Sequence, residues 1–151
     1  MQKLINQIQL FENFISESNQ LNTNVSKAPV GWHIEHSLLV VNAILENITK
    51  SNPDKYQQQF KFGKFFIFLT KTLPRGKAKA PSIVTPERAD AEKIHQSLKI
   101  ARLNIDNIPH IKEFQYINHP YFGHLRLAKA ISFLKIHNQH HLKIIKDILK
   151  L

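Results

Sequence analysis

Apolar residues recur along most of the chain with the spacing of about 3.6 residues that is typical of amphipathic helices. Four long segments show this pattern, and the chain has only four glycines to interrupt it. The predicted ranges are about Gln2 to Ser18, about Gly31 to Lys50, Thr85 to about Ile108, and about Leu125 to Leu149. The pattern predicts an all-α fold in which four helices form a bundle.

A separate segment is inserted between the second and third of these helices. It begins with the helix-start signal Ser51-Asn52-Pro53-Asp54, which predicts a short extra helix through Tyr56 to about Leu69. A basic loop from Leu73 to Pro81 follows. Five phenylalanines of the insertion are expected in the core, namely Phe60, Phe62, Phe65, Phe66 and Phe68.

The last predicted helix carries two histidines inside its apolar stripe. His137 and His141 are four positions apart, so their Cβ atoms lie roughly 5 to 6 Å apart on one helix face, close enough to bind one metal ion. One interpretation is therefore a metal site. The other is a pair of neutral core histidines that are satisfied by hydrogen bonds, and the pattern leaves both open. The apolar residues of the stripe are Leu127, Ile131, Leu134, Ile145 and Ile148.

The second predicted helix is apolar on two sides, which is typical of a helix that lies between neighbours. One stripe consists of Ile34, Leu38, Val41, Leu45 and Ile48, and the opposite one of Trp32, His36, Leu39 and Ala43. His36 therefore faces the interior. We expect it to complete a three-histidine site with His137 and His141.

Length and composition narrow the class of protein. A chain of 151 residues fits one domain, residues 1–151, and the absence of cysteine excludes disulfide scaffolds and thiolate sites. The first residues lack the apolar region of a signal peptide, and the longest apolar run, Phe65 to Leu69, is too short to span a membrane. We therefore expect a cytoplasmic protein without a membrane partner.

The net charge of +10 raises the question of an anionic partner. Basic residues are spread along the chain without a nucleic-acid-binding motif, so nucleic acid is not favoured. The residues from Lys55 to Pro86, however, include seven basic side chains and no acidic one. Within them Arg75, Lys77 and Lys79 could hold a carboxylate or phosphate of a substrate, with a solvated loop as the alternative.

Two other polar residues have side chains suited to acid–base chemistry. His119 precedes a proline in a predicted turn and is a candidate general acid, although a structural hydrogen-bond donor at the start of the last helix is the simpler role. Glu35 lies about 100° around the helix from His36, so we expect it at the surface.

Three motifs resemble the DinB-like superfamily of bacterial four-helix bundles. They are Gly31-Trp32-His33-Ile34-Glu35-His36, His119-Pro120-Tyr121-Phe122-Gly123 and His137-Asn138-Gln139-His140-His141. The likeness extends over nearly the whole chain in element order. It is closest to a branch with a Pro-Arg-Gly-Lys loop and a His-Pro-x-Phe-Gly turn.

The resemblance implies a zinc or nickel ion held by one histidine of the second helix and two of the last. Many relatives place the first histidine about eight residues after the tryptophan, where this chain has Val40, so His36 is assigned from its inward stripe. Some members are thiol S-transferases that use bacillithiol or mycothiol. We expect a metal-dependent hydrolase or thiol transferase acting on a small molecule that is anionic or a thiol. The alternative is a non-catalytic binding or interaction module with a vacant or structural metal site and a basic surface that binds an anionic partner. A homodimer is left open.

Overall fold

The structure is a computed structural model that describes residues 1–59, 61–76, 81–86 and 90–151. All four predicted long helices are present, with somewhat different ends. They are α1 (Gln2–Asn13), α2 (Val30–Thr49), α4 (Ala91–Asp106) and α5 (Leu127–Leu149), and the short α3 (Phe62–Thr70) lies between α2 and α4. The described part is therefore mostly helical, as the periodicity predicts.

The four long helices surround one hydrophobic core. Helix α2 packs between α4 and α5, and α1 contacts the same two helices. The first stripe of α2 is buried along its whole length, from Ile34 to Ile48, which confirms its predicted position. In the opposite stripe His36 is buried while Trp32 is half-buried. This arrangement brings one face of α2 against α5, where the candidate histidines lie.

The insertion after α2 differs from the prediction. Residues Pro53–Lys55 form only a single 3-10 turn, in which the Asn52 side chain accepts a hydrogen bond from the Asp54 backbone N–H. The short helix starts at Phe62 instead of continuing through Tyr56. Three of the five phenylalanines expected in the core are exposed, Phe68 is half-buried against the core, and Phe60 lies outside the described residues. The exposed three are Phe62, Phe65 and Phe66.

The connection before the last helix is a β-hairpin, so the prediction of a purely α fold is wrong at this point. Strand β1 (Tyr116–His119) pairs antiparallel with β2 (Gly123–Arg126), and His119 lies opposite Gly123. Gly123 has a φ of 65°, and a Cβ atom there would meet the side-chain oxygen of Gln59. The positive φ is what favours glycine at this turn, since the Gln59 side chain could move aside.

Helix α4 begins later than predicted. Its first residue is Ala91, and Asp90 caps it by accepting a hydrogen bond from the Glu92 backbone N–H. The predicted start at Thr85-Pro86 instead follows a 3-10 turn, Ser82–Val84, whose Val84 side chain is buried. Within the described part of the chain, no helix is long and apolar enough to cross a membrane.

Candidate metal centre

Three histidines from two helices meet in the interior. His36 on α2 and His137 and His141 on α5 each offer a ring nitrogen, and these three atoms lie within 4.8 Å of one another. The exposed fractions of the three residues are 4%, 8% and 7%. The inward stripes of the two helices thus bring together the residues that the sequence singled out.

The His36 ring is fixed by a backbone carbonyl. Its Nδ1 lies 2.6 Å from the Val84 oxygen, and because that oxygen can only accept, Nδ1 carries the proton and donates. The Nε2 atom of His36 then presents a lone pair, 3.2 Å from Nε2 of His137. Two ligands of a tetrahedral ion with metal–nitrogen bonds of about 2.0 to 2.1 Å are about 3.3 Å apart. The spacing of this pair therefore fits a shared ion.

A fourth histidine, His33, contacts the Nδ1 side of the His141 ring. Nδ1 of His33 lies 3.0 Å from Nδ1 of His141, and Nε2 of His33 lies 2.9 Å from the Ser26 hydroxyl oxygen. That oxygen also accepts from the Ala28 backbone N–H. If His141 donates from Nδ1 and His33 donates from Nε2, both Ser26 lone pairs are used and Nε2 of His141 is left with a lone pair.

His33 was not predicted from the sequence, although a signal was present. It lies three positions before His36 on the same helix, a spacing that makes side chains neighbours. The predicted apolar stripes of α2 include His36 but not His33. His33 reaches the site from the adjacent angle and is itself buried.

Burial keeps these rings neutral. Desolvation lowers the pKa of His36 and takes those of His137 and His141 well below the ordinary value, and neighbouring histidines lower the latter two further. The pKa of His33 falls to about 4 for the same main reason, burial. Neutral imidazole is the form that binds a metal, so the donors need not lose a proton at pH 7.

One of the three histidines lacks the hydrogen bond at its second ring nitrogen that the other two have. Among the described residues, Nδ1 of His137 and both side-chain polar atoms of Asn138 are buried and have no hydrogen-bond partner at ordinary distance, although the Asn138 side chain lies close enough to act on the His137 ring. Histidines that bind metals almost always donate their second ring N–H. His36 and His141 meet this pattern through Val84 and His33, whereas His137 departs from it.

The site is covered by the segment that precedes α4. The Trp32 ring stacks on His36 with centroids 4.9 Å apart, and its Nε1 donates to the Pro86 carbonyl at 3.1 Å. The same segment supplies the Val84 carbonyl to His36. An enzyme site needs an opening for its small molecule, but the three rings here are almost fully covered.

Arg75 of the basic loop reaches α5, where it forms an ion pair at the surface. Nη2 of Arg75 lies 2.6 Å from Oδ2 of Asp147, so the guanidinium is already paired with a carboxylate. After burial, the positive charge of Arg75 is the next cause that lowers the pKa of His140, which places the loop beside the middle of α5. Lys77 and Lys79, the other two anion candidates, lie outside the described residues.

The remaining candidates take structural positions. Nδ1 of His119 accepts from the backbone N–H groups of Tyr121 and Phe122 at 3.2 and 3.3 Å. It is thus an acceptor within the hairpin turn, where we expected a donor at the start of the last helix. Glu35 was expected at the surface but is buried, and burial raises the pKa of its carboxyl.

Comparison with known proteins gives no match to a family model, to a curated protein or to a solved structure. The resemblance to the DinB-like superfamily therefore stays a prediction. What can be said of function depends on the geometry of the histidines alone.

Proposed function

We propose that this chain is a DinB-like bundle that binds one divalent metal ion through His36, His137 and His141 and uses it as an enzyme acting on a small molecule. The observation that carries the proposal is the 3.2 Å separation between the Nε2 atoms of His36 and His137, with a nitrogen of His141 close by. Three neutral imidazoles are a donor set that suits zinc or nickel. The ion is expected to be one of these two.

The number of ligands favours an ion with an open coordination position. His33 is directed at the far nitrogen of His141 and lies outside the group of three converging donors. Structural zinc sites usually have four protein ligands, whereas three leave a position for water or substrate. A bound ion would supply Lewis acidity there and lower the pKa of a coordinated water or thiol. Hydrolysis and thiol transfer are the reaction classes that use this property.

Burial supports a second candidate, a non-catalytic site. With exposed fractions of 4% to 8%, the three rings have little contact with solvent. The hydrogen bonds from His36 to Val84 and from Trp32 to Pro86 hold the covering segment in place. An ion enclosed in this way would stabilise the fold without reaching a substrate. Both candidate functions require the bound metal. They differ in whether a substrate can reach it.

The metal content of untagged protein distinguishes the proposed metal site from a pair of core histidines that form only hydrogen bonds. After dialysis against zinc or nickel, elemental analysis should give about one ion per chain for the wild type and close to none for His137→Ala. His95→Ala is the matched control, because His95 is exposed on α4 and should leave the metal content unchanged. An equal metal content in all three proteins, with folding verified by circular dichroism, would contradict the proposed metal site.

The same proteins distinguish the two candidate functions. Zinc-loaded wild type is mixed with monochlorobimane and a small thiol in one assay, and with p-nitrophenyl acetate in another. An enzyme should accelerate one of these reactions by about tenfold or more over His137→Ala, since removing one ligand removes the reactive ion. Stoichiometric zinc with equal rates in both assays would instead support the non-catalytic candidate.

A further inference from the structure

A small cleft lies where α1, the end of α3 and α5 meet. Its volume is about 180 Å³, and the residues that line it are Lys3, Lys71, Ser132, Lys135, Ile136 and Gln139. Lys3 belongs to α1, Lys71 follows the last residue of α3, and the other four belong to α5. Three lysines from three separate elements therefore surround one volume, which we call the three-lysine cleft.

The three-lysine cleft is separate from the candidate metal centre. Ser132, Lys135 and Gln139 are three and four positions apart, so they lie along one face of α5. Lys135 and Gln139 are each two positions from His137, which corresponds to about 160° around an α-helix. The cleft and the histidine cluster thus lie on opposite sides of α5.

Hydrogen bonds between α1 and α5 hold the walls of the cleft together. The buried Gln7 side chain donates from Nε2 to the Lys135 carbonyl at 2.9 Å and to Oε1 of Gln139 at 3.4 Å. Lys3 lies about one turn before Gln7 on α1. Ile136, which also lines the cleft, is buried. The cleft is therefore built on fixed parts of two helices and is not formed by lysine side chains alone.

The positive charges of the cleft have no carboxylate partner among the described residues. The two ion pairs of that part of the chain join Arg75 to Asp147 and Arg102 to Glu12. No acidic residue that the structure describes lines the cleft. Like charges around a small volume repel one another, and an anion between them removes this repulsion. The charge of the cleft therefore selects a negatively charged ligand.

We propose that the three-lysine cleft binds the phosphate group of a small molecule. Lysine ammonium groups bind phosphate as compact point charges, whereas bidentate binding of a carboxylate uses the planar fork of arginine. A phosphate monoester has a charge of about −1.5 to −2 at pH 7 and three acceptor oxygens, which suits several ammonium groups. The Ser132 hydroxyl and the Gln139 side-chain amide provide further donors.

This site differs from the anion site that the sequence predicted. Arg75 was a candidate for that site, but its guanidinium is paired with Asp147. Lys71 belongs to the same acid-free segment, from Lys55 to Pro86, and lines the cleft. The anion is therefore expected beside the end of α3 and not at the tip of the basic loop.

The size of the cleft limits the ligand. Pockets for drug-sized molecules have volumes of about 300 to 1,000 Å³, so a cleft of about 180 Å³ admits a phosphate group with only a few further atoms. Lys3 and Lys71 are exposed, so the rest of an organic phosphate would extend past them into solvent. A phosphate monoester and the free phosphate ion share the group that the cleft recognises, and binding experiments distinguish them.

The backbone at Lys71 allows a variant that removes charge without harming the fold. Lys71 has a φ of 54° and a ψ of 32°, in the left-handed region that favours glycine. Lys71→Gly should therefore unfold at an equal or higher urea concentration than the wild type. Lys150→Gly is the matched control, because Lys150 follows α5 with a φ of 60°, is exposed and does not line the cleft.

An NMR titration of the untagged full-length protein tests the proposal. Backbone amide shifts of isotopically labelled protein are followed with glycerol phosphate, with inorganic phosphate and with acetate, all at the same ionic strength. Both phosphates should give saturable shifts at Ser132, Lys135 and Gln139, and acetate should give none. Tighter binding of glycerol phosphate would identify the ligand as an organic phosphate, and tighter binding of inorganic phosphate would identify it as the free ion.

The lysine variants should weaken this binding. Lys71→Gly and Lys135→Gln are each expected to raise the Kd for the phosphates by about five- to tenfold, because each removes one charged contact. Lys150→Gly should bind phosphate like the wild type. His137→Ala should also do so, because His137 lies on the other side of α5; failure of the proposed metal site would therefore leave this proposal standing.

Four results would overturn the proposal. The first is an absence of saturable shifts with either phosphate, and the second is equal shifts with acetate, which would show general screening of surface charge. The third is an unchanged Kd in Lys71→Gly or in Lys135→Gln. The fourth is loss of phosphate binding in His137→Ala with the fold intact, which would place the anion at the candidate metal centre.

Discussion

At the scale of single residues, the angle of a side chain around its helix fixes the direction in which it points, while its partner depends on the element packed against that face. The stripes of α2 and α5 correctly place His36, His137 and His141 inside the protein. Glu35 was misplaced, because its angle pointed away from the α5 side and the periodicity of α2 contains no information about the start of α4. The charge of Lys93 and a hydrogen bond from the Asp90 backbone now act on that carboxyl. Angular position cannot show which neighbour covers a given face.

His33 provides a prediction at this scale. His33→Ala removes the ring nitrogen that lies 3.0 Å from Nδ1 of His141, so the orientation of the His141 ring and the position of its proton are no longer fixed. Losing such a partner typically weakens metal binding about 10- to 100-fold. A competition titration with a zinc indicator should show this increase in Kd, with a smaller one for Ser26→Ala, which removes only the outer hydrogen bond. An unchanged Kd in His33→Ala would show that His33 only fills space.

At the scale of elements, long periodic helices were predicted well and short elements were not. Each strand of the hairpin has four residues, too few for an alternating pattern to emerge beside the helical signal. The phenylalanines of α3 were assigned to the core for a related reason. A stripe has the same spacing whether it faces inward or outward, and only packing decides. The five-phenylalanine segment therefore predicted an apolar helix without indicating its exposed face.

The hairpin turn makes stability depend on pH through His119. Burial lowers its pKa to about 4 from an ordinary value near 6.5, so the folded state excludes a proton that the unfolded state binds. The stability is fully present above pH 6.5 and is lost as pH falls toward 4. We expect His119 to account for about 1 to 2 kcal/mol of the loss between pH 7 and 4.5, which allows for its partial exposure.

A matched variant isolates this effect. His119→Asn keeps an oxygen that can accept from the Tyr121 backbone N–H, as asparagine often does before a proline in a turn, but does not titrate. Urea unfolding at pH 7 and at pH 4.5 should show a smaller loss of stability for the variant than for the wild type. Equal losses would mean that other groups, such as the buried His33, cause the acid sensitivity.

At the scale of the whole molecule, the order of the helices could be predicted, while the covering of the site could not. The order follows from four periodic segments. The cover depends on long-range hydrogen bonds, from His36 to the Val84 carbonyl and from Trp32 to the Pro86 carbonyl, across 48 and 54 positions of the chain. Backbone acceptors carry no sequence signal, so contacts of this kind appear only in the folded structure.

A metal that joins α2 to α5 should stabilise the whole protein, because the unfolded chain does not bring His36 near His137. Zinc or nickel at 100 times its Kd is expected to add about 2.7 kcal/mol to the free energy of unfolding. For a chain of this length the melting temperature should rise by roughly 5 to 11 °C. His137→Ala should abolish the rise, whereas His95→Ala, which changes an exposed histidine, should retain it. An equal rise in melting temperature in His137→Ala would show that the ion binds elsewhere among the nine histidines of the chain. The buried cluster would then not be the source of the stabilisation. The metal-dependent rise in melting temperature can therefore be assigned to the α2–α5 contact only if His137→Ala abolishes it.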